Sequence, residues 1–195
     1  MDSGRGFGNL QIVSGLRRKD PEAAIALYER SSDRIHRLVW RVLGADDEHD
    51  DVVQQVFVHA LGSIDRLRDP NALDSWLVGI TLNTVRKLLR ARKLRRAFGQ
   101  RKDRPGSNFN KHDPDRQLLT SRLYAVVERM RPVDQISFTL RFVEGYALGE
   151  VACACDCSLT TVKRRLARAK KIFLKHAQND QILASWINSG ESCKT

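Results

Sequence analysis

The stretch DDVVQQVFVHALGSI, residues 50 to 64, limits the possible folds more than any other part of the chain. Val52, Val53, Val56, Phe57, Ala60, Leu61 and Ile64 recur in pairs one turn apart, the spacing of a helix with one face to bury. The same three-and-four spacing returns along the rest of the sequence, and strand-like alternation is missing. An all-α fold is therefore expected. A single amphipathic helix cannot hide its own stripe, so each must pack against others.

The other helices follow from their punctuation. Asp20 and Pro21 are a cap and first turn for a helix whose inward stripe is Ala24, Leu27, Tyr28, Ile35, Leu38, Val39 and Val42, with Gly44 ending it. A third helix starts near Asn71 and turns Leu73, Trp76, Leu77, Ile80 and Leu88 inward. From Arg86 to Arg104 there are ten basic residues against one acidic residue, after which RPGSNFNKHDP breaks all periodicity. A second helical set follows, over about 115–130, 132–144, 148–154 and 158–176. The expected organisation is two small helical domains, each with its own core: a flexible start at 1–19, a first domain at 20–98, a flexible basic linker at 99–114, a second domain with a helix-turn-helix at 115–177 and a tail at 178–195.

Charge narrows the function. With 34 Lys and Arg against 23 Asp and Glu, the 195 residues carry a formal charge of +11, which points to a polyanionic partner. No run of about 18 apolar residues could span a bilayer, and the first twenty residues lack the apolar core of a signal peptide, so a cytoplasmic location is expected. No nucleophile with a base, carboxylate pair, Walker loop or dinucleotide fingerprint is recognisable, which leaves catalysis without support.

The segment VACACDCSLTTVKRRLARAKK, residues 151 to 171, admits two readings: a metal site of three cysteines, or a turn between two helices. Zinc motifs space cysteines by two to four residues and add a second pair, whereas Cys153, Cys155 and Cys157 alternate and the remaining cysteine is Cys193. In a helix-turn-helix, small Ala152 allows a close crossing, Cys155 points inward, Ser158 caps the second helix and Val162 packs under it. No metal is expected. Lys163, Arg164, Arg165 and Arg168 then lie in the front half of a helix suited to duplex DNA.

Two further constellations stand out. In DDEHDDVVQQVF, five acids within six positions suit a helix N-terminus, while Asp51, Gln54 and Gln55 form a polar face suited to docking another protein. In DSWLVGITLNTVRKLLRARKLRR, Asn83, Arg86, Lys87 and Arg90 fall on adjacent turns, where an amide can read a base and cations can hold a phosphate backbone. On residues alone, a DNA-bound dimeric helix-turn-helix regulator remains an alternative, as does a nucleic-acid enzyme.

Three segments in order resemble the bacterial RNA polymerase sigma factors of the extracytoplasmic-function type. DDVVQQVFVHAL is similar to the segment that binds core polymerase, DSWLVGITLNTVRKLLR to the helices for the minus-10 element, and RMRPVDQISFTLRFVEGYALGEVACACDCSLTTVKRRLARAKKIF to the C-terminal domain. The resemblance implies a non-enzymatic initiation factor without a cofactor, whose partners are core RNA polymerase, promoter DNA and an anti-sigma factor. It assigns Asp51, Gln54 and Gln55 to core polymerase, Asn83 to the opened minus-10 strand and Lys163, Arg165 and Arg168 to the minus-35 element. Gln55 stands where the family usually has an acid, and Ser158 where proline is common. Cys157 matches a turn position where cysteine is frequent, in favour of the structural turn.

Overall fold

The computed structural model describes residues 8–44, 46–99, 114–177, 180 and 183. Among these, eight α-helices and two short 3-10 turns account for the regular structure: α1 (Asn9–Arg17), α2 (Pro21–Leu43), α3 (His49–Ser63), α4 (Leu73–Ala97), α5 (Pro114–Val127), α6 (Pro132–Phe142), α7 (Leu148–Ala154) and α8 (Leu159–Ala177). The linker expected over 99–114 lies, apart from Gly99 and Pro114, outside the described residues. So does the tail, except Asp180 and a buried Leu183 packed with Val126 and Ala177.

The beginning of the chain differs from expectation. Residues 9–17, read as part of a flexible start, form α1, which buries Ile12, Val13 and Leu16. The helix is amphipathic but only nine residues long, too short to be evident as a periodic signal and too short to be stable without packing. Its C-terminus closes as a Schellman turn, with Lys19 at φ 59° and the Asp20 amide bonded to the Gly15 carbonyl at 3.0 Å. Asp20 then caps α2, its Oδ1 accepting from the Glu22 amide at 2.9 Å. Gly15 lets the two helices touch: a Cβ there would lie 2.5 Å from the Cβ of Ala23.

In the first helical set α2, α3 and α4 pack together around Leu27, Val39, Val56, Phe57, Leu77 and Val85. Tyr28 and Leu61, expected inward, are 50% and 43% exposed. Each lies at the edge of a stripe, and Ala23 takes the buried place beside Leu27 instead. Tyr28 still packs its ring on Phe57, with centroids 4.9 Å apart. Gly44, at φ 74°, ends α2 as expected.

The second set of helices is not independent of the first. One local cluster holds Val127, Met130, Phe138 and Ala169, but Ile136, Leu140, Val151 and Val162 join the main cluster of the first set. The expectation of separate cores is corrected to this extent. Sequence periodicity reports which face of a helix is apolar, and it does not report which set covers that face. Polar groups support the junction. The last carbonyls of α2 have no partner within the helix, and the second set supplies donors: Gln135 Nε2 bonds the Val42 carbonyl at 2.9 Å and Tyr124 Oη the Arg41 carbonyl at 3.1 Å. Arg41 pairs with Glu144 at 2.8 Å, and Arg96 with Glu128 at 3.1 Å. No helix among the described residues is long and apolar enough to cross a membrane.

Candidate nucleic-acid and docking interfaces

The turn between α7 and α8 follows from a few backbone bonds. Helix α7 ends in a Schellman motif, the Cys157 amide reaching the Ala152 carbonyl at 3.0 Å and the Asp156 amide the Cys153 carbonyl at 3.1 Å. Asp156 takes the left-handed position at φ 47°, which Asp tolerates better than most residues. The Thr161 amide then donates to Ser158 Oγ at 3.2 Å, capping α8, and Val162 is fully buried beneath. The expected roles of Ser158 and Val162 are those observed.

The cysteines serve this turn. Cys155 is partly buried against the main cluster, and burial, with Cys157 beside it, pushes its thiol up to about 11. A thiol shifted in this direction by burial is less reactive than an exposed one. Arg165 donates to Cys157 Sγ at 3.4 Å, and Cys153 is exposed.

The basic residues of α8 divide by environment. Lys163 and Arg164 are exposed, whereas Arg165 and Arg168 are half-buried. Arg168 forks onto Asp134, with Nη2 to Oδ1 at 2.8 Å and Nε to Oδ2 at 3.1 Å, and Asp134 has no exposed surface. Its guanidinium holds a buried carboxylate at the start of α6. On α4, Asn83, Lys87 and Arg90 are exposed, and Arg86 bends back to donate to Asn83 Oδ1. Asn83, Arg86 and Arg165 line one recess with Leu82, Ile136 and Cys155, so residues expected to contact two different DNA elements meet at the junction of the two sets.

Helix α3 presents the third surface. Asp51, Gln54 and Gln55 are all exposed, and Val58 and Leu61 continue the same surface. Leu61 was missed because its spacing also fits the buried stripe. The acids before α3 have a more specific role than opposing a dipole. Arg92 of α4 donates to both oxygens of Asp46 at 2.5 and 2.6 Å and to Glu48, tying the α3 entrance to α4.

A helix-turn-helix with a basic second helix, beside a second basic helix on the first set, defines a surface of the nucleic-acid-binding class. The family model for Sigma-70 region 2 matches residues 27–95, and that for Sigma-70, region 4 matches residues 120–172. The chain is 28% identical over 171 residues to the ECF RNA polymerase sigma-E factor of Escherichia coli (strain K12), covering 82% of this chain and 89% of that one. It is 27% identical over 173 residues to the factor of the same name from Haemophilus influenzae, covering 83% and 91%. Among solved structures, CnrH in complex with the cytosolic domain of CnrY superposes with a TM-score of 0.59 at 22% identity, covering 89% of this chain and 96% of that one. The sigma factor RpoE in complex with the anti-sigma factor NepR from Bartonella quintana gives 0.57 at 16%, covering 79% and 96%. The chain belongs to the sigma-70 family, as a factor of the extracytoplasmic-function type. It is a transcription initiation factor that directs RNA polymerase to promoters, and the dimeric-regulator alternative is not favoured.

Proposed function

We propose that this factor divides promoter recognition between α4 and α8 and docks on core polymerase through α3. The observation that carries the reading is the chemistry of the exposed side chains on three helices: cations and one amide on α4, cations on α8, and an acid with two amides on α3. The chain itself catalyses nothing, acts in the cytoplasm and leaves all chemistry to the polymerase. The first helical set serves core binding and the minus-10 element, and the second serves the minus-35 element. An anti-sigma partner fits the two structural neighbours, each of which is seen in complex with another protein.

The junction implies a conformational step. Asn83, Arg86 and Arg165 share one recess, whereas one turn of a DNA duplex already covers about 34 Å. Reading two elements therefore requires the two sets to move apart. With one dye on α4 and one on α8, energy transfer should fall when core polymerase is added; unchanged transfer would rule out the movement.

Reconstituted transcription tests the assignment as a whole: with core polymerase the chain should start transcripts at a defined promoter. Asp51→Ala combined with Gln54→Ala should weaken polymerase binding without lowering the melting temperature, because both side chains are exposed. Binding as tight as wild type, or early melting, removes the docking role. Asn83→Ala should reduce transcription roughly 2- to 10-fold, the effect of one hydrogen bond at about 0.5–1.5 kcal/mol. The defect should persist on templates already mismatched over the minus-10 region and should depend on the base supplied. A neutral amide offers a donor and an acceptor for a base edge but no charge for a phosphate. Wild-type behaviour on every template would take Asn83 out of the site.

A further inference from the structure

His36 of α2 and His49 at the first position of α3 are thirteen residues apart in sequence and meet face to face. Their rings stack with centroids 5.1 Å apart, and His36 Nδ1 lies 2.9 Å from His49 Nε2. Asp50, the next residue, brings a carboxylate to the same place: one ligand atom from each of His36, His49 and Asp50 lies within 4.8 Å of the others. Both histidines are half-buried and Asp50 is exposed, so the group opens to solvent on one side. Promoter reading and polymerase docking, as proposed above, use none of the three.

A purely structural histidine pair would have its ring nitrogens satisfied. Here the two rings share one contact, and His49 Nδ1 is buried without a hydrogen-bond partner. An N–H···N contact between two imidazoles holds one proton, because a second would set two N–H donors against each other. Two imidazole nitrogens on one ion at about 2.0–2.1 Å stand about 2.9 Å apart at a right angle and about 3.4 Å apart in a tetrahedron. The observed separation therefore fits two neighbouring positions on an ion that accepts right-angled ligands.

We propose that His36, His49 and Asp50 form a binding site for a divalent first-row transition-metal ion, linking the middle of α2 to the start of α3. Two imidazoles and one carboxylate form a nitrogen-and-oxygen donor set which, with its nitrogens near a right angle, suits nickel or copper rather than magnesium or calcium. Arg92 already occupies Asp46 and Glu48, so these nearby acids are committed elsewhere.

Calorimetric titration of the full, untagged chain with Ni²⁺ tests the site, with Co²⁺ absorption to report ligand type. One equivalent should bind and raise the melting temperature, because an ion that binds the folded chain stabilises it. Changing a group that merely orients a ligand costs 10–100-fold in affinity, so losing both imidazoles should cost at least about 100-fold. His36→Gln with His49→Gln is that variant. Asp50→Asn, on an exposed residue, should cost about tenfold and covers the case in which the double variant does not fold. A chain with Cys153, Cys155 and Cys157 changed to alanine should bind as wild type, and the Co²⁺ complex should show no thiolate charge-transfer band. No binding to the wild-type chain, undiminished binding in both the histidine and the Asp50 variants, or loss of binding with the cysteines would each overturn the proposal.

Discussion

Phe57→Ala should cost about 3–5 kcal/mol of folding stability, the range for removing a large aromatic side chain from a packed core. Phe57 is buried where α2, α3 and α4 meet, and it holds the ring of Tyr28 against it. Tyr28 is half exposed and cannot move inward to fill the space without lifting its polar end from solvent, so the cavity should remain largely open. A denaturation midpoint near that of the wild type would show that the site collapses. Helix α3 carries Phe57 on one face and Gln54 on the other, so the two substitutions should separate: Phe57→Ala lowers stability, and the exposed pair Asp51 and Gln54 lowers polymerase binding alone.

Arg168→Ala should destabilise the chain by about 2–3 kcal/mol and weaken promoter binding as a consequence. Asp134 has no exposed surface, and Arg168 supplies two charge-assisted hydrogen bonds to it. Removing one partner of a fully buried pair costs about 3–5 kcal/mol because a charge is left without compensation. Arg168 is itself 37% exposed, so water reaches the gap and the smaller range applies. Asp134→Asn with Arg168→Leu removes both charges and should recover part of the loss. Lys163→Ala should do the opposite: exposed and without a structural role, it should change stability by no more than about 0.5 kcal/mol, while a lost guanine contact costs about 1–3 kcal/mol of promoter affinity. Equal melting temperatures for Arg168→Ala and wild type would return Arg168 to the minus-35 contacts. Position on the helix and the resemblance alike put both residues in that group, and their burial differs.

The helix-turn-helix was legible almost residue by residue. Its turn depends on local bonds within VACACDCS, on a left-handed Asp156 and on the Ser158 cap, all encoded in neighbouring positions. The polar face of α3 was legible for a similar reason: when Val52, Val53, Val56 and Phe57 point inward, helical geometry turns Asp51, Gln54 and Gln55 outward. Leu61 escaped because an apolar residue at a stripe edge has the same spacing whether it is covered or left open. Helix α1 escaped because nine residues give too few turns to establish a period, and its order comes from Gly15 touching α2.

The sequence by itself determined what short-range periodicity and capping can carry: the all-helical class, most helix limits, the turn before α8 and the basic character of α4 and α8. Only the tertiary structure decided which charges are free. Arg92 belongs to Asp46 and Glu48, Arg168 to Asp134, and His36 meets His49, in pairings that join residues 13 to 46 positions apart. Only the tertiary structure, too, decided that Ile136, Leu140, Val151 and Val162 complete the core of the first helical set. A helix stripe states that a face must be buried and not which partner buries it, because hydrophobic attraction has no direction. That choice is made by shape and by the few polar bonds, such as Gln135 to Val42, that exist in one docking geometry.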